Sequence, residues 1–177
     1  MLVIHPTDPT TSFLSVLYEG MEDIRVLHGT ENRNKLNDIL YHLCPGETIM
    51  LLGHGSEAGL FRLEKGLYTL YVGRSMAYCL RKHPVIGVFC HSRHFAEPLR
   101  LHGLFTGMII SELEEARMYD IQTTEAELER ENRLFASTLN GFLRSGLPFS
   151  EIPIMMRRTV GNGPDVRDFN YRSLIDL

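Results

Sequence analysis

The sequence has little positive charge and no long apolar run. Its 177 residues include 18 Lys and Arg against 22 Asp and Glu, which gives a formal net charge of −4. Phosphate binding needs a concentrated basic surface, so this balance predicts no nucleic-acid partner. No apolar run approaches the roughly 18 residues of a membrane-spanning helix. We therefore expect no membrane partner, while the oligomeric state stays open.

Cysteine is also scarce, which argues against a disulfide-stabilised secreted fold. The three cysteines, Cys44, Cys79 and Cys90, are an odd number without framework spacing. The first residues have neither the charged start nor the apolar length of a signal peptide. Together these features predict reduced thiols in a cytoplasmic protein.

The motifs that cradle phosphates are missing as well. The sequence contains no G-x-x-x-x-G-K-[ST] and no G-x-G-x-x-G after a strand. Both motifs bring backbone N–H groups close to a phosphate, so we expect no nucleotide cofactor and no other cofactor. The length and the 44% apolar content suit one domain over residues 1–177.

Strand-like and helix-like segments alternate along the chain, which predicts an α/β fold with a mainly parallel sheet. The predicted strands are 2–5, 24–27, 47–53, 85–89, 104–110 and 169–174, with a small hairpin over 58–71. The predicted helices begin after Asp8, after Thr30, at 74, at 96, after Thr124 and near 150. Residues 112–123 are acidic and then polar, which indicates an exposed loop, and 161–164 indicate a turn.

Two apolar runs end in side chains that can do chemistry. Residues 47–53 lead into His54 and Gly55, and residues 85–89 lead into Cys90. The carboxyl ends of parallel strands share one edge of a sheet, so the imidazole can lie beside the thiol. A nucleophile within reach of a base is the arrangement of covalent catalysis. The backbone N–H groups of Gly55 and Cys90 are then candidate donors to an oxyanion.

Other interpretations of these residues stay open. His28 also ends a predicted strand and precedes a glycine, so it competes with His54. Cys90, His91 and His94 have ligand-like spacing, but a closed zinc site needs a fourth ligand, so we predict no metal. Residues 53–56 also resemble the His-Gly-Ser strand end of chelatases, which suggests a small-molecule binder of chelatase-like or flavodoxin-like type.

The order of the two strand ends resembles the caspase-like (clan CD) cysteine peptidases. In that group an apolar strand ends in His-Gly and a later apolar strand ends in Cys. The long predicted helix that ends in Leu-x-x-Gly146 before Ser150 and Glu151 is similar to CHAT domains. The resemblance implies a three-layer α/β/α sandwich of about six mainly parallel strands with helices on both faces. It also implies a peptidase with Cys90 as nucleophile and His54 as acid and base.

The resemblance further implies a peptide or protein substrate with a basic side chain on the acyl side of the scissile bond. Asp8, Glu57 and Glu112 lie near the predicted crevice and suit such a side chain, whereas Arg93 would favour an acidic one. Cys90 is expected to be alkylated before the other thiols. The alternative is an inactive caspase-like interaction module, which applies if the bulky neighbours Phe89 and His91 block the thiol.

Overall fold

The computed structural model describes residues 1–161 and 163–177, and its architecture is α/β. The strands are β1 (Leu2–Ile4), β2 (Arg25–Leu27), β3 (Ile49–Leu52), β4 (Gly55–Ser56), β5 (Gly59–Glu64), β6 (Leu67–Gly73), β7 (Pro84–Val88), β8 (His102–Thr106) and β9 (Leu174–Asp176). The α-helices are α1 (Arg33–Tyr41), α2 (Ala77–Leu80), α3 (Ser92–Leu99), α4 (Leu113–Met118), α5 (Glu125–Arg144), α6 (Ile152–Arg158) and α7 (Asp165–Ser173). Two 3-10 helices cover Pro9–Tyr18 and Arg74–Met76.

Six strands form one sheet in the order β2-β1-β3-β7-β8-β9, and three form a smaller sheet in the order β4-β5-β6. The first five strands of the large sheet pair in parallel, and β9 is antiparallel to β8. The predicted mainly parallel sheet of about six strands is therefore confirmed. The small sheet is antiparallel throughout and follows directly after β3.

Side chains of successive strand residues enter two separate hydrophobic cores. Leu2 and Ile4 pack in one core with side chains of α1, α2 and α3. Val3 packs in the other with the 3-10 helix after β1 and with α5, α6 and α7. Because neighbouring residues of a strand point to opposite faces, the sheet is covered by helices on both sides.

The centre of the sheet sets the position of the candidate site. β3 and β7 are neighbours, and their last residues, Leu52 and Val88, are paired in register. Both strands therefore stop at the same level, and the next two residues of each enter the same crevice. The hydrogen bond from Gly53 N–H to Val88 O, 3.2 Å long, continues the pairing one step further.

Several local predictions are confirmed, and each has a recognisable side-chain signal. Asp8 caps the 3-10 helix by accepting a hydrogen bond from Thr10 N–H, and Thr124 caps α5 by accepting one from Glu127 N–H. The predicted hairpin is β5 and β6, which pair closely up to the turn at Lys65 and Gly66.

Other local predictions are wrong. The expected loop over 112–123 contains α4, whose start is held by a reciprocal capping box between Glu112 and Glu115. Asn32, not Thr30, caps α1. Most of the expected last strand, 169–174, belongs to α7. The predicted turn over 161–164 includes Asn162, which lies outside the described residues.

The helix expected from residue 96 starts earlier, at Ser92, because His91 takes a left-handed conformation (φ 63°) that ends the preceding loop. Among the helices of the described residues, none combines the length and the apolar character needed to cross a membrane.

Candidate active site

His54 and Cys90 lie at the carboxyl ends of the neighbouring strands β3 and β7. Both line one small cavity, whose other walls are Thr11, Phe13, Leu14, Gly53, Val88, Phe89, Ile109 and Ser111. The cavity is mostly apolar, so groups within it are shielded from water. Both residues therefore border the same small space.

A polar network holds the His54 imidazole. Its Nε2 lies 2.6 Å from Thr10 Oγ1 and 3.7 Å from Asp8 Oδ1. The His54 carbonyl accepts a hydrogen bond from Phe61 N–H at 2.8 Å, which fixes the backbone to β5. The ring of Tyr68 lies against the imidazole, with 5.1 Å between ring centroids. Contacts from three segments therefore position this side chain.

Asp8 is the anchor of the network. Its Oδ1 accepts hydrogen bonds from Thr10 N–H at 2.9 Å and from Thr10 Oγ1 at 2.7 Å, and its Oδ2 accepts one from Tyr68 OH at 2.9 Å. Burial acts to raise the pKa of the Asp8 carboxyl, but these hydrogen bonds and the nearby His54 outweigh it and lower the pKa. The side chain is therefore an ionised acceptor. Burial and the bond to Asp8 raise the pKa of Tyr68 to about 12, so its hydroxyl is a donor.

Cys90 has a very different environment. Its Sγ donates a hydrogen bond to Ile109 O at 3.4 Å and lies 4.0 Å from Glu115 Oε1. Burial is the main cause that raises the pKa of this thiol to about 11, and the charges of Glu115 and Glu112 add to it. The thiol is therefore protonated near neutral pH, because both burial and nearby carboxylates disfavour the thiolate.

The segment from Ile109 to Glu115 restrains the thiol, and it is itself well fixed. Glu115 Oε2 accepts hydrogen bonds from Ser111 N–H at 2.7 Å, Ser111 Oγ at 3.0 Å and Glu112 N–H at 3.1 Å. The buried side chain of Asn170 bonds to Ile110 N–H at 2.8 Å and to Ile110 O at 3.0 Å. The carbonyl that holds the thiol therefore belongs to a rigid part of the structure.

The rings of Phe89 and His91, the bulky neighbours of Cys90, each pack against another aromatic ring. Phe89 is buried in the core beside Phe95, with 6.0 Å between ring centroids. The His91 ring is stacked on His94 at 5.6 Å, and His91 N–H donates to Gly107 O at 2.8 Å. Among the described residues, no backbone carbonyl accepts a hydrogen bond from Cys90 N–H, and the interaction of this N–H with the Cys90 sulfur acts to lower the thiol pKa. That N–H is therefore available as an oxyanion donor.

Gly55, the other predicted oxyanion donor, has a steric reason to be glycine. A Cβ atom built at this position would lie 2.3 Å from Phe89 Cδ2 and 2.6 Å from Gly59 O. The close approach lets the Phe89 ring pack beneath the start of β4. The turn after His54 and the residue before Cys90 are therefore in direct contact.

The four predicted substrate-pocket residues lie in different places. Asp8 uses both carboxylate oxygens within the His54 network. Glu112 Oε1 lies 4.0 Å from His54 Nε2 and also lines a neighbouring groove. Glu57 is exposed in the turn between β4 and β5. Arg93 is exposed, pairs with Glu97 at 2.6 Å and lines a different cavity, between α3 and α7.

The groove beside Glu112 has a volume of about 490 Å³ and is strongly acidic. It runs between the first 3-10 helix, the start of α4 and the first half of α5. Its charged lining residues are Glu112, Glu114, Glu125, Glu129 and Arg133, and its apolar ones include Phe13, Leu113 and Leu128. Arg133 is paired with Glu129 at 3.3 Å, so the groove keeps an excess of negative charge.

Thr10 and Tyr68 contact His54, and the sequence did not single them out as site residues. Glu115, which contacts Cys90, stood out only as part of the acidic stretch 112–123. Thr10 lies 44 residues before His54, and Tyr68 lies 60 residues after Asp8, so no local spacing links them. The one available signal was the Glu-x-x-Glu pattern of Glu112 and Glu115. Such a pattern of carboxylates indicates a helix start as well as an acidic loop.

The alternative interpretations have less structural support. Within residues 1–161 and 163–177, no group of three or more His, Cys, Asp or Glu side chains is arranged to hold a metal ion. His28 lines a separate cavity with His5 and Tyr18. No model of a known protein family matches the sequence, and no curated protein matches it.

Proposed function

We propose that the protein is a cysteine hydrolase of caspase-like type, a peptidase in which Cys90 is the nucleophile and His54 is the general base. The observation that carries this proposal is the parallel pairing of β3 with β7, with Leu52 opposite Val88. This pairing puts His54 and Cys90 at the border of one cavity. The mainly parallel six-stranded sheet with helices on both faces is also the architecture that the resemblance implies.

The residues of this site can perform acyl transfer in two steps. His54 takes the Cys90 proton as sulfur attacks the carbonyl carbon of the scissile bond, and the N–H groups of Gly55 and Cys90 stabilise the resulting oxyanion. The carbon–nitrogen bond then breaks, and His54 returns the proton to the leaving amine. A water molecule, deprotonated by His54, hydrolyses the thioester and regenerates the thiol.

Acylation requires the thiol to change its hydrogen-bond partner. Cys90 Sγ donates to Ile109 O, so it must exchange this acceptor for the imidazole before attack. Active-site contacts of this kind often tighten only when substrate binds. The apolar walls of the cavity then favour the reaction, because displaced water no longer competes for the reacting groups.

The acidic groove supports the predicted preference for a basic side chain on the acyl side. It shares Ser111 and Phe13 with the cavity of His54 and Cys90, so the two spaces are contiguous. Glu112 and Glu114 can bind an ammonium or guanidinium group, while the apolar lining contacts its alkyl stem. Arg93 lies in another cavity and takes no part in this selection.

The test is turnover of a fluorogenic peptide library that varies the residue on the acyl side. We expect cleavage after Arg or Lys, and we expect Cys90→Ala to reduce the rate by about a thousandfold or more, since it removes the nucleophile. Cys44→Ala is the matched control, because Cys44 is an exposed thiol in the connection between α1 and β3. Activity that survives Cys90→Ala would contradict the proposal, and cleavage after Asp or Glu would contradict the basic preference.

A second candidate is a non-catalytic interaction module on the same fold. The observation that favours it is the state of the Cys90 thiol. Burial and the charge of Glu115 raise the pKa of this thiol to about 11, so the nucleophilic thiolate is disfavoured. An acyloxymethyl ketone with a basic side chain discriminates between the two. Covalent labelling of Cys90 supports the hydrolase, whereas absence of both labelling and turnover supports the module.

A further inference from the structure

We infer that Asp8, Thr10 and Tyr68 form a positioning relay that holds His54 in one tautomer, with the proton on Nε2 and the lone pair on Nδ1. This assignment makes Asp8 a positioning residue rather than part of the substrate pocket. The effect of this relay on catalysis rests on the proposed function. The hydrogen-bond arrangement itself is independent of any reaction.

The direction of the Thr10 hydroxyl proton decides the tautomer. Thr10 Oγ1 lies 2.7 Å from Asp8 Oδ1 and 2.6 Å from His54 Nε2. An ionised carboxylate can only accept, so the single hydroxyl proton of Thr10 is donated to Asp8. The Thr10 oxygen then faces Nε2 as an acceptor. His54 therefore donates from Nε2.

The carboxylate of Asp8 is held in place, so the hydroxyl proton of Thr10 keeps pointing toward it. Asp8 is buried, with 8% of its surface exposed, and receives three hydrogen bonds, two from Thr10 and one from Tyr68. The Thr10 N–H bond fixes Oδ1, and the Tyr68 OH bond fixes Oδ2. Because both oxygens are engaged, the carboxylate has a single orientation toward Thr10 and His54.

The other ring nitrogen of His54, Nδ1, has no hydrogen-bond partner among the described residues. Nε2, in contrast, has Thr10 and, at greater distance, two carboxylates. A neutral imidazole carries its proton on one nitrogen and accepts on the other. The relay therefore leaves the lone pair on Nδ1, the nitrogen that would accept the Cys90 proton in the proposed function.

The experiment reads the tautomer directly, by nitrogen-15 NMR of His54 in the full-length protein. Ring-nitrogen shifts separate the two neutral tautomers, and His54→Gln identifies the signal. In the wild type we expect the Nε2–H form. We expect Thr10→Val to give a mixture, because the acceptor is lost while the shape is kept. Asp8→Asn and Tyr68→Phe should give smaller shifts in the same direction.

Thr7→Val is the matched control, since Thr7 is an exposed threonine close to Asp8. It should leave the His54 shifts unchanged, and circular dichroism confirms folding of every variant. A wild-type Nδ1–H form, or an unchanged tautomer in folded Thr10→Val, would overturn the relay.

Kinetics of the same variants separate the relay from the proposed function. Hydrogen-bond partners that fix the tautomer of metal-binding histidines contribute about 10- to 100-fold to activity, and we expect an effect of similar size here. We therefore expect Thr10→Val to lower kcat by that factor with little change in KM. If Thr10→Val changes the tautomer but neither the wild type nor any variant turns over substrate, the relay is supported and the hydrolase is contradicted. Turnover that Thr10→Val leaves unchanged would contradict the relay and leave the hydrolase supported.

Discussion

The two neighbouring strand ends of this protein offer their reactive side chains opposite environments. His54, after β3, is surrounded by oxygen atoms of Asp8, Thr10 and Glu112. Cys90, after β7, is packed among apolar side chains and donates to one carbonyl. His54 and Cys90 each lie two residues after a paired position of the same sheet, Leu52 and Val88. The difference between their environments therefore comes from the segments that lie over the sheet edge and not from the strands.

The segments that lie over this edge of the sheet, here called the covering segments, affect the two residues in different ways. The 3-10 helix after β1 and the hairpin of β5 and β6 supply the groups that orient the imidazole. Burial is the main cause that keeps the Cys90 thiol protonated, and the segment from Ile109 to Glu115 adds the charges of Glu112 and Glu115, whereas the hydrogen bond to Ile109 acts to lower the pKa. The His54 side of the site is preorganised by hydrogen bonds, whereas the Cys90 thiol is kept protonated. The reactivity of the thiol is therefore set by the groups that keep it protonated.

The largest expected effect comes from disturbing the contact between the two strand ends. Gly55→Ala places a Cβ atom against the Phe89 ring and Gly59 O, and overpacking of this kind costs about 2 kcal/mol of unfolding free energy. Urea denaturation followed by circular dichroism measures it. Gly141→Ala, in an open position of α5, is the control and should not destabilise the protein.

A double variant sharpens this test. If the clash with Phe89 dominates, Gly55→Ala combined with Phe89→Leu should lose less free energy of unfolding than the sum of the two single losses. Strict additivity of the two losses would show that the ring is not what excludes a side chain at residue 55.

The next effect concerns the thiol and revises the expectation that Cys90 is alkylated first. With a pKa of about 11, Cys90 has about a hundredfold less thiolate near pH 8 than an ordinary cysteine, and greater intrinsic nucleophilicity recovers about tenfold. We expect iodoacetamide to label the exposed Cys44 about ten times faster. Peptide mass spectrometry over time measures both rates.

The pH dependence checks the cause. A raised pKa means that thiolate forms only at high pH, so the Cys90 rate should keep rising up to about pH 11. A Cys90 rate that levels off below pH 8 would show that the thiol is activated in the free protein.

The smallest expected effect isolates the contribution of one carboxylate to this restraint. Glu115→Gln removes the charge 4.0 Å from Cys90 Sγ while an amide oxygen can still cap α4. Loss of one nearby charge should lower the thiol pKa by about one unit, which increases the alkylation rate about threefold. Glu114→Gln, an exposed neighbour with the same change, is the control. Equal rates in both variants would show that the Glu115 charge does not contribute to the raised pKa of Cys90.

The sequence predicted the central sheet because its signals are local. Apolar runs mark β3 and β7, and side-chain caps such as Asp8 and Thr124 mark the helices that follow a loop. The order of the runs along the chain then indicated that the strands carrying His54 and Cys90 are neighbours. These predictions need only the pattern within a few residues and the preference of successive strands to pair.

The covering segments could not be predicted in the same way. Residues 112–123 have the acidic composition of a loop, and only the capping box between Glu112 and Glu115 makes part of them a helix. The last predicted strand, 169–174, is mostly helical because α7 packs against α5 and α6, while β9 begins only at Leu174. Contacts between distant segments outweigh local propensity at both places.

The hydrogen bonds around His54 also have a consequence for the order of folding. Thr10 and His54 are 44 residues apart, and Asp8 and Tyr68 are 60 apart, so each bond closes a long loop of chain. Such loops cost conformational entropy that only the assembled sheet can offset, and contacts of this separation form late. A growing chain can therefore complete β1 and β3 while its histidine remains unoriented. The orientation of His54 is therefore completed only when the hairpin that carries Tyr68 docks on the sheet edge.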